Sequence, residues 1–178
     1  MKKIIASLTI FLLAVSFSVG RDISVMSYNI RFGKAKDGDN HWEKRKKATP
    51  IMLRECSPDV FGVQECLPFQ ADFILEENPE YEGYGIGRDD GVKGERTEIF
   101  WKKNLFTLVD KGTFWLSDTP DVPSVGWDGR HSRTATWVIL EFKRGKRRFM
   151  FVNTHLDHIG KVAPRNGLEL ICEKIASI

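Results

Sequence analysis

Residues 59–65, Asp-Val-Phe-Gly-Val-Gln-Glu, form the stretch that most constrains what this chain can fold into. Val60, Phe61 and Val63 are apolar with no charged residue between them, which predicts a short buried strand. A turn signal of Ser, Pro and Asp precedes the strand, and a proline soon after it stops it. The strand ends at Glu65, so this carboxylate is either incidental to the strand end or a ligand held rigidly over a cleft.

An earlier strand is predicted over residues 23–30, because apolar and polar side chains alternate there. Residues 40–53 between the two strands predict a helix, which Pro50 should kink or split. Two strands joined by one helix form a β-α-β unit, which places Asn29 and Glu65 at comparable strand ends. A hard cation such as Mg²⁺ takes only one or two protein carboxylates and fills its other positions with water and substrate phosphate, so Glu65 is a candidate ligand.

The remainder of the chain predicts further helices, strands and loops. The expected helices cover residues 68–75 and 167–178. Strands are expected over residues 84–88, 99–101, 106–109, 133–142 and 149–153, the last two joined by a hairpin. Long irregular connections are expected over residues 112–121 and 126–130, and connections of this length in a compact domain are usually functional loops.

The N-terminus has the pattern of a secretory signal peptide. A basic Met-Lys-Lys start is followed by an apolar run from Ile4 to Val19, and cleavage is expected after Gly20. A retained membrane anchor is disfavoured, because the run is short for a span of roughly 20 apolar residues. No cysteine follows the run, so a lipid anchor is not indicated. We therefore expect a signal peptide over 1–20, a domain over 21–178, and a periplasmic or secreted protein without a membrane span.

Composition argues against a broad nucleic-acid-binding surface. Removing residues 1–20 removes Lys2 and Lys3 and no acidic residue, so the formal charge falls from +3 to +1. A nearly neutral mature chain lacks the basic footprint of a non-specific nucleic-acid coat. Cys56 and Cys66 could pair in an oxidising compartment, although their spacing is no metal or redox signature.

Several motifs, taken together in this order, identify the chain more closely. They are Ser27-Tyr28-Asn29-Ile30-Arg31, residues 59–65, Gly94-Glu95, Arg133 and Asn153-Thr154-His155-Leu156. The ordered set resembles the endonuclease/exonuclease/phosphatase superfamily, which includes deoxyribonuclease I, exonuclease III-type repair nucleases, sphingomyelinases and inositol-polyphosphate phosphatases. Residues 112–121 and 126–128 look like an exported bacterial branch of it. The resemblance implies an α+β fold class, a four-layer αββα sandwich of the deoxyribonuclease I-like type, and hydrolysis of phosphate esters.

The resemblance also implies roles for individual residues. Glu65 resembles the glutamate that binds a divalent metal, Mg²⁺ or Mn²⁺, and Asn29 resembles the strand-end asparagine that positions the metal or the phosphate. His155 resembles the catalytic histidine beside the scissile phosphate, and Glu95 resembles the acid that orients it. A carboxylate in contact with the ring would favour the imidazolium form, so we expect the pair to donate a proton or stabilise an oxyanion.

Two further residues complete the predicted site. Arg133 resembles the arginine that binds the substrate phosphate, where a planar guanidinium matches two phosphate oxygens. Asn153 resembles the supporting asparagine and is placed among the catalytic residues. The substrate is expected to be a phosphate ester, with nucleic acid, a phospholipid head group and a sugar phosphate all open, and the protein is expected to be a monomer.

The sequence also departs from the family pattern. The Gly-Asp-Phe-Asn motif and the Asp-His pair of the family's second half do not occur after His158. We therefore expect the αββα fold to be truncated after its first half, with little or no turnover, because the group that prepares the attacking water is missing. The alternative function is a non-catalytic module that binds phosphate or a partner. A zinc hydrolase using His155, Asp157 and His158 is a weaker alternative, because no matching distant ligand set is evident.

Overall fold

The computed structural model describes residues 22–178, and the expected signal peptide at 1–20 lies outside the described residues. The helices are α1 (Trp42–Arg45), α2 (Ala48–Cys56), α3 (Pro68–Glu77) and α4 (Ala163–Ala176). The strands are β1 (Val25–Asn29), β2 (Val60–Gln64), β3 (Tyr81–Tyr84), β4 (Ile99–Lys102), β5 (Phe106–Trp115), β6 (Thr134–Phe142) and β7 (Arg148–Thr154). Within residues 22–178, no helix is both long and apolar enough to cross a membrane.

The strands form two sheets. The first has the strand order β1-β2-β4-β3, and the second has the order β5-β6-β7. β1 and β2 are parallel and in register from Val25 opposite Val60 to Asn29 opposite Gln64. The predicted β-α-β unit is therefore confirmed, and the two strands carry their C-terminal residues to the same edge of the first sheet.

Three apolar clusters separate four layers of secondary structure: helices, the first sheet, the second sheet and a helix. The molecule is therefore a four-layer αββα sandwich, as expected. Helices α2 and α3 cover the outer face of the first sheet, where Leu53 and Ile74 pack with Phe61. Between the sheets, Val60 and Trp101 share a cluster with side chains of the second sheet. Helix α4 covers the other face of the second sheet through a third cluster. Successive residues of β2 face opposite layers, which explains why the whole strand is buried and uncharged.

The helix predicted over residues 40–53 is split, as the proline suggested. The break separates α1 from α2 at Lys46 and Lys47, ahead of Pro50. Pro50 is buried in the first turn of α2, where its missing N–H would have had no acceptor inside the helix. The split therefore lets the proline sit at a tolerated position.

Two strand boundaries differ from the sequence predictions. The strand expected over 84–88 is instead β3, which ends at Tyr84, because the chain leaves the sheet there and runs as a loop. The loop expected over 112–121 begins as a strand, because β5 continues to Trp115 alongside β6. A register shift between Leu108 and Asp110 interrupts the alternation of apolar and polar side chains along β5. The second half of this strand was therefore not predicted from the sequence. Cys56 and Cys66 are both free thiols.

Candidate active site

The site begins where the parallel strands β1 and β2 end. Asn29 Nδ2 donates a hydrogen bond of 2.9 Å to Glu65 Oε1, and the backbone N–H of Phe32 donates one of 2.9 Å to Oε2. Glu65 has φ 59° and Arg31 has φ 62°, a left-handed conformation that residues other than glycine seldom adopt. Such backbone strain recurs at functional sites, because the surrounding structure must hold it in place.

The loop after β1 is held by two arginines. Arg45 donates hydrogen bonds of 2.7 and 2.9 Å to the carbonyl groups of Ile30 and Arg31. Arg31 donates two hydrogen bonds of 2.8 and 2.9 Å to Asp37, and its guanidinium also lies 3.8 Å from Glu65. These contacts fix the backbone that follows β1, and this segment supplies the Phe32 N–H that binds Glu65.

Glu65 is held in its ionised form. Its partial burial alone would raise its pKa, but the hydrogen bonds from Asn29 and Phe32, together with the nearby His155 and Arg31, lower the pKa overall. The carboxylate is therefore charged at neutral pH. Because it is already ionised, the carboxylate of Glu65 can bind a cation without first losing a proton.

The chemistry of these residues fits a hard divalent cation. Each oxygen of Glu65 accepts one of the hydrogen bonds described, and a carboxylate oxygen can accept more. The Oδ1 atom of Asn29 accepts a hydrogen bond of 2.9 Å from the backbone N–H of Arg31, while its Nδ2 donates to Glu65. In this arrangement Asn29 orients the carboxylate of Glu65. Across residues 22–178, no group of three His, Cys, Asp or Glu side chains is placed to hold a metal ion. That leaves the zinc alternative without a ligand set, whereas Mg²⁺ needs only one or two protein carboxylates.

A cavity of about 510 Å³ opens beside Glu65. It lies among the segment after β1, the β3–β4 loop, and the residues next to β6 and β7. Four of the residues predicted from the sequence line it together: Glu65, Glu95, Arg133 and His155. These residues are far apart in the sequence, so the fold has gathered the predicted set around one space.

Arg133 connects two of the three histidines that line the cavity. Its Nη1 lies 3.2 Å from His155 Nδ1, and its Nη2 lies 3.1 Å from His158 Nδ1. Since a guanidinium can only donate, Nδ1 accepts in both rings, which places the ring proton of each histidine on Nε2. Burial, and next the charge of Arg133, lower the pKa of His155. His155 is therefore neutral near pH 7, with its Nε2–H available as a donor.

Glu95 has a different partner from the one expected. Its carboxylate accepts a hydrogen bond of 2.6 Å from Arg88, while His155 is paired with Arg133. The expectation that Glu95 orients His155 and favours its imidazolium form is wrong in this structure, because arginines lie beside both groups and the pKa of His155 is lowered. Burial raises the pKa of Glu95 despite its contact with Arg88. Glu95 thus acts on the cavity by positioning Arg88.

Asn153 lies behind the cavity and joins the two sheets. Its Nδ2 donates hydrogen bonds of 2.8 and 3.0 Å to the carbonyl groups of Val63 and Glu98, and its Oδ1 accepts one of 2.7 Å from Gln64. A Cβ atom at Gly62 would lie 2.5 Å from Asn153 Cγ, so the glycine in this strand makes room for the amide. The geometry gives Asn153 a positioning role. Its place among the catalytic residues stays a prediction.

The sequence did not assign roles to several residues that line the cavity. Arg31, Arg88 and His131 contribute to its wall. Arg31 belongs to a motif already singled out, and Arg88 directly precedes a turn of two aspartates and a glycine, so both carried a local signal. His131 sits in a loop without any pattern that would have revealed it.

The protonation of His155 is open to direct measurement. Because its pKa in the folded protein is below the usual value, the unfolded chain binds the proton more readily, and His155 lowers stability as the pH falls below that usual value. We expect the Arg133→Gln variant to show a higher pKa at His155, since a positive neighbour has been removed. Titration of the imidazole resonances by NMR measures this shift, with Arg144→Gln as the control because Arg144 is exposed in the β6–β7 turn. An unchanged pKa in Arg133→Gln would contradict the assigned pairing.

Comparison with known proteins finds solved structures that this chain resembles in sequence and fold. No protein-family model matches the chain. Among solved structures, an endonuclease/exonuclease/phosphatase family protein from Bacteroides thetaiotaomicron is 41% identical, with a TM-score of 0.84 over 87% of this chain and 57% of that one. A mannosyl-6-phosphatase of Bacteroides thetaiotaomicron VPI-5482 is 40% identical, with a TM-score of 0.85 over 88% of this chain and 60% of that one. The endonuclease/exonuclease/phosphatase from Bacteroides vulgatus is 38% identical, with a TM-score of 0.87 over 89% of this chain and 62% of that one.

The similarity extends over most of this chain but not over the whole of the related proteins. The chain spans 57%, 60% and 62% of the lengths of those three structures. From its sequence identity and its four-layer fold, the chain belongs to the endonuclease/exonuclease/phosphatase superfamily.

Proposed function

We propose that the cavity beside Glu65 is the active site of a phosphoesterase that depends on Mg²⁺ or Mn²⁺. The observation that carries the proposal is the convergence of an ionised carboxylate, a buried arginine and a neutral histidine on one space. A carboxylate suits the metal, and an arginine fork suits two phosphate oxygens. The similarity to a mannosyl-6-phosphatase supports a phosphate ester as substrate.

Each residue has a part that follows from its contacts. Glu65 would hold the metal, which when bound neutralises charge on the phosphate, and Asn29 would keep the carboxylate oriented. Arg133 would donate to the phosphate oxygens from a fork that is already fixed by two histidines. His155 would donate its Nε2–H to a phosphate oxygen, where negative charge develops as water attacks.

Neither carboxylate of the cavity is assigned to activate the attacking water. Glu65 is the proposed metal ligand, and Glu95 is hydrogen-bonded to Arg88. We therefore propose that the 178-residue chain turns over slowly by itself, because a positioned base contributes roughly 10²–10⁴-fold to such reactions. A non-catalytic phosphate-binding module is the second candidate, and the same observation favours it.

The two candidates separate in one assay. The 178-residue chain is incubated with para-nitrophenyl phosphate, bis-(para-nitrophenyl) phosphate or mannose 6-phosphate, with Mg²⁺, with Mn²⁺ and with a chelator. We expect slow hydrolysis that the metal supports, that the chelator removes, and that His155→Ala lowers roughly 100-fold. Binding of metal and phosphate without any hydrolysis above buffer would instead establish the binding module.

A further inference from the structure

Three arginines, Arg88, Arg96 and Arg133, line a second and much smaller cavity of about 10 Å³. Of these, Arg88 and Arg133 also line the larger cavity beside Glu65. The Nε atom of each arginine is buried and makes no hydrogen bond with any described residue. Carboxylate oxygens of Asp89 and Asp157 lie 3.8 Å from Arg88 Nε and 3.7 Å from Arg133 Nε, which is beyond hydrogen-bond distance. A buried donor without an acceptor is unfavourable, so an acceptor that reached these groups would be stabilised.

Arg133 is buried beside two histidines and a carboxylate. Only 6% of the residue is exposed, and its fork contacts Nδ1 of His155 and Nδ1 of His158. The carboxylate of Asp157 lies 3.7 Å from its Nε. Burial, and next the charge of Arg88, lower the pKa of Arg133, while the carboxylates of Glu95 and Asp157 act in the opposite direction. Arg88 and Arg133 line the same cavity, so an anion bound there would compensate the charge of both guanidinium groups.

Arg88 is held in place from several sides. Its Nη1 donates to Glu95, and its backbone N–H donates to the carbonyl of Glu95 at 3.1 Å. Its own carbonyl accepts a hydrogen bond of 2.6 Å from Trp115 Nε1, which fastens the β3–β4 loop to the second sheet. Gly87 and Gly91 form an isolated bridge that closes the turn next to it. Because its backbone is fixed within the loop and to the second sheet, the side chain needs little reorganisation to meet a ligand.

We propose that Arg88 is a second phosphate-binding residue, and that Arg88 and Arg133 together make the site selective for phosphate monoesters over diesters. The proposal rests on the phosphoesterase function proposed above. A monoester phosphate carries nearly two negative charges at neutral pH and has three terminal oxygens, whereas a diester carries one charge and has two. Arg133 can bind two of these oxygens through its fork. The third oxygen, which only a monoester has, is the partner for Arg88.

Calorimetric binding to the 178-residue chain in the presence of Mg²⁺ tests this inference. The probes are phenyl phosphate, a monoester, and methyl phenyl phosphate, the diester of the same alcohol. We expect the wild-type chain to bind the monoester more tightly. Arg88→Gln should weaken the monoester roughly 10- to 100-fold, the range for a lost charged hydrogen bond, and leave the diester within about threefold. Arg144→Gln removes the same charge from an exposed turn and should change neither affinity.

Two further variants separate a loss of phosphate binding from a loss of folding. Arg88→Gln leaves Glu95 unpaired, so the double variant Arg88→Gln/Glu95→Gln removes both charges, and Arg88→Lys keeps the charge without the fork. Thermal melting identifies the variants that are folded. We expect the folded double variant to lose monoester selectivity, with Arg88→Lys intermediate.

The outcomes distinguish this inference from the function on which it rests. Equal wild-type affinity for the two esters, or an equal loss of both in the folded Arg88 variants, would overturn the monoester selectivity while leaving the phosphoesterase proposal standing. Failure of the wild-type chain to bind either ester, with Arg133→Gln indistinguishable from it, would overturn both.

Discussion

Replacement of Glu65 by Gln is expected to remove divalent-ion binding from this chain. The substitution keeps the shape of the side chain but removes the negative charge that the contacts of Asn29 and Phe32 stabilise. Even partners of metal ligands change metal affinity by roughly 10–100-fold, so loss of the ligand itself should cost about 100-fold or more. Mn²⁺ binding followed by electron paramagnetic resonance gives the affinity directly, without depending on turnover.

The matched control for this variant is Glu55→Gln. Glu55 is exposed near the end of α2, so its replacement changes the same charge far from the strand ends. We expect wild-type Mn²⁺ affinity for Glu55→Gln and wild-type melting for both variants. Tight Mn²⁺ binding in a folded Glu65→Gln variant would contradict the assignment of Glu65 as the ligand.

Replacement of Asn153 by Ala is expected to have the largest effect on stability. The buried amide connects β7 to Gln64 and to the carbonyl groups of Val63 and Glu98. Truncation would leave these buried groups without their partner and open a cavity between the sheets, so we expect a loss of about 3 kcal/mol in the free energy of unfolding. Chemical denaturation measured by circular dichroism gives this value.

Asn104 supplies the comparison for that experiment. It is exposed in the turn between β4 and β5, so Asn104→Ala should change the free energy of unfolding by less than about 0.5 kcal/mol. Similar stabilities for the Asn153→Ala and Asn104→Ala variants would mean that the hydrogen bonds between the sheets contribute little. That result would contradict the stabilising role assigned to Asn153.

The β-α-β unit and the strand-end residues could be predicted because their signals are local. The apolar run of β2 and the alternation of β1 each lie within a few residues, and the parallel pairing brings Asn29 and Glu65 together without further information. Pro50 likewise indicated the break in the first helix from its own backbone chemistry. These features depend on short stretches of sequence.

The charge pairing inside the cavity could not be predicted in the same way. Arg133 contacts His155, and Arg88 contacts Glu95, only because the β3–β4 loop and the end of β7 are packed against the same space. The motifs identified Glu95 and His155, but they did not predict which arginine contacts each of them. The second half of β5 was missed for a related reason, because its bulge interrupts the alternation on which the strand prediction depends.

A crystal structure of the chain grown with Mn²⁺ and inorganic phosphate tests the central claim most directly. We expect an anomalous-scattering peak for Mn²⁺ at the carboxylate of Glu65, and a phosphate within hydrogen-bonding distance of Arg133. Both would lie inside the cavity that Glu65, Glu95, Arg133 and His155 line. A structure at saturating Mn²⁺ with no peak at Glu65, or with metal and phosphate bound elsewhere, would contradict it.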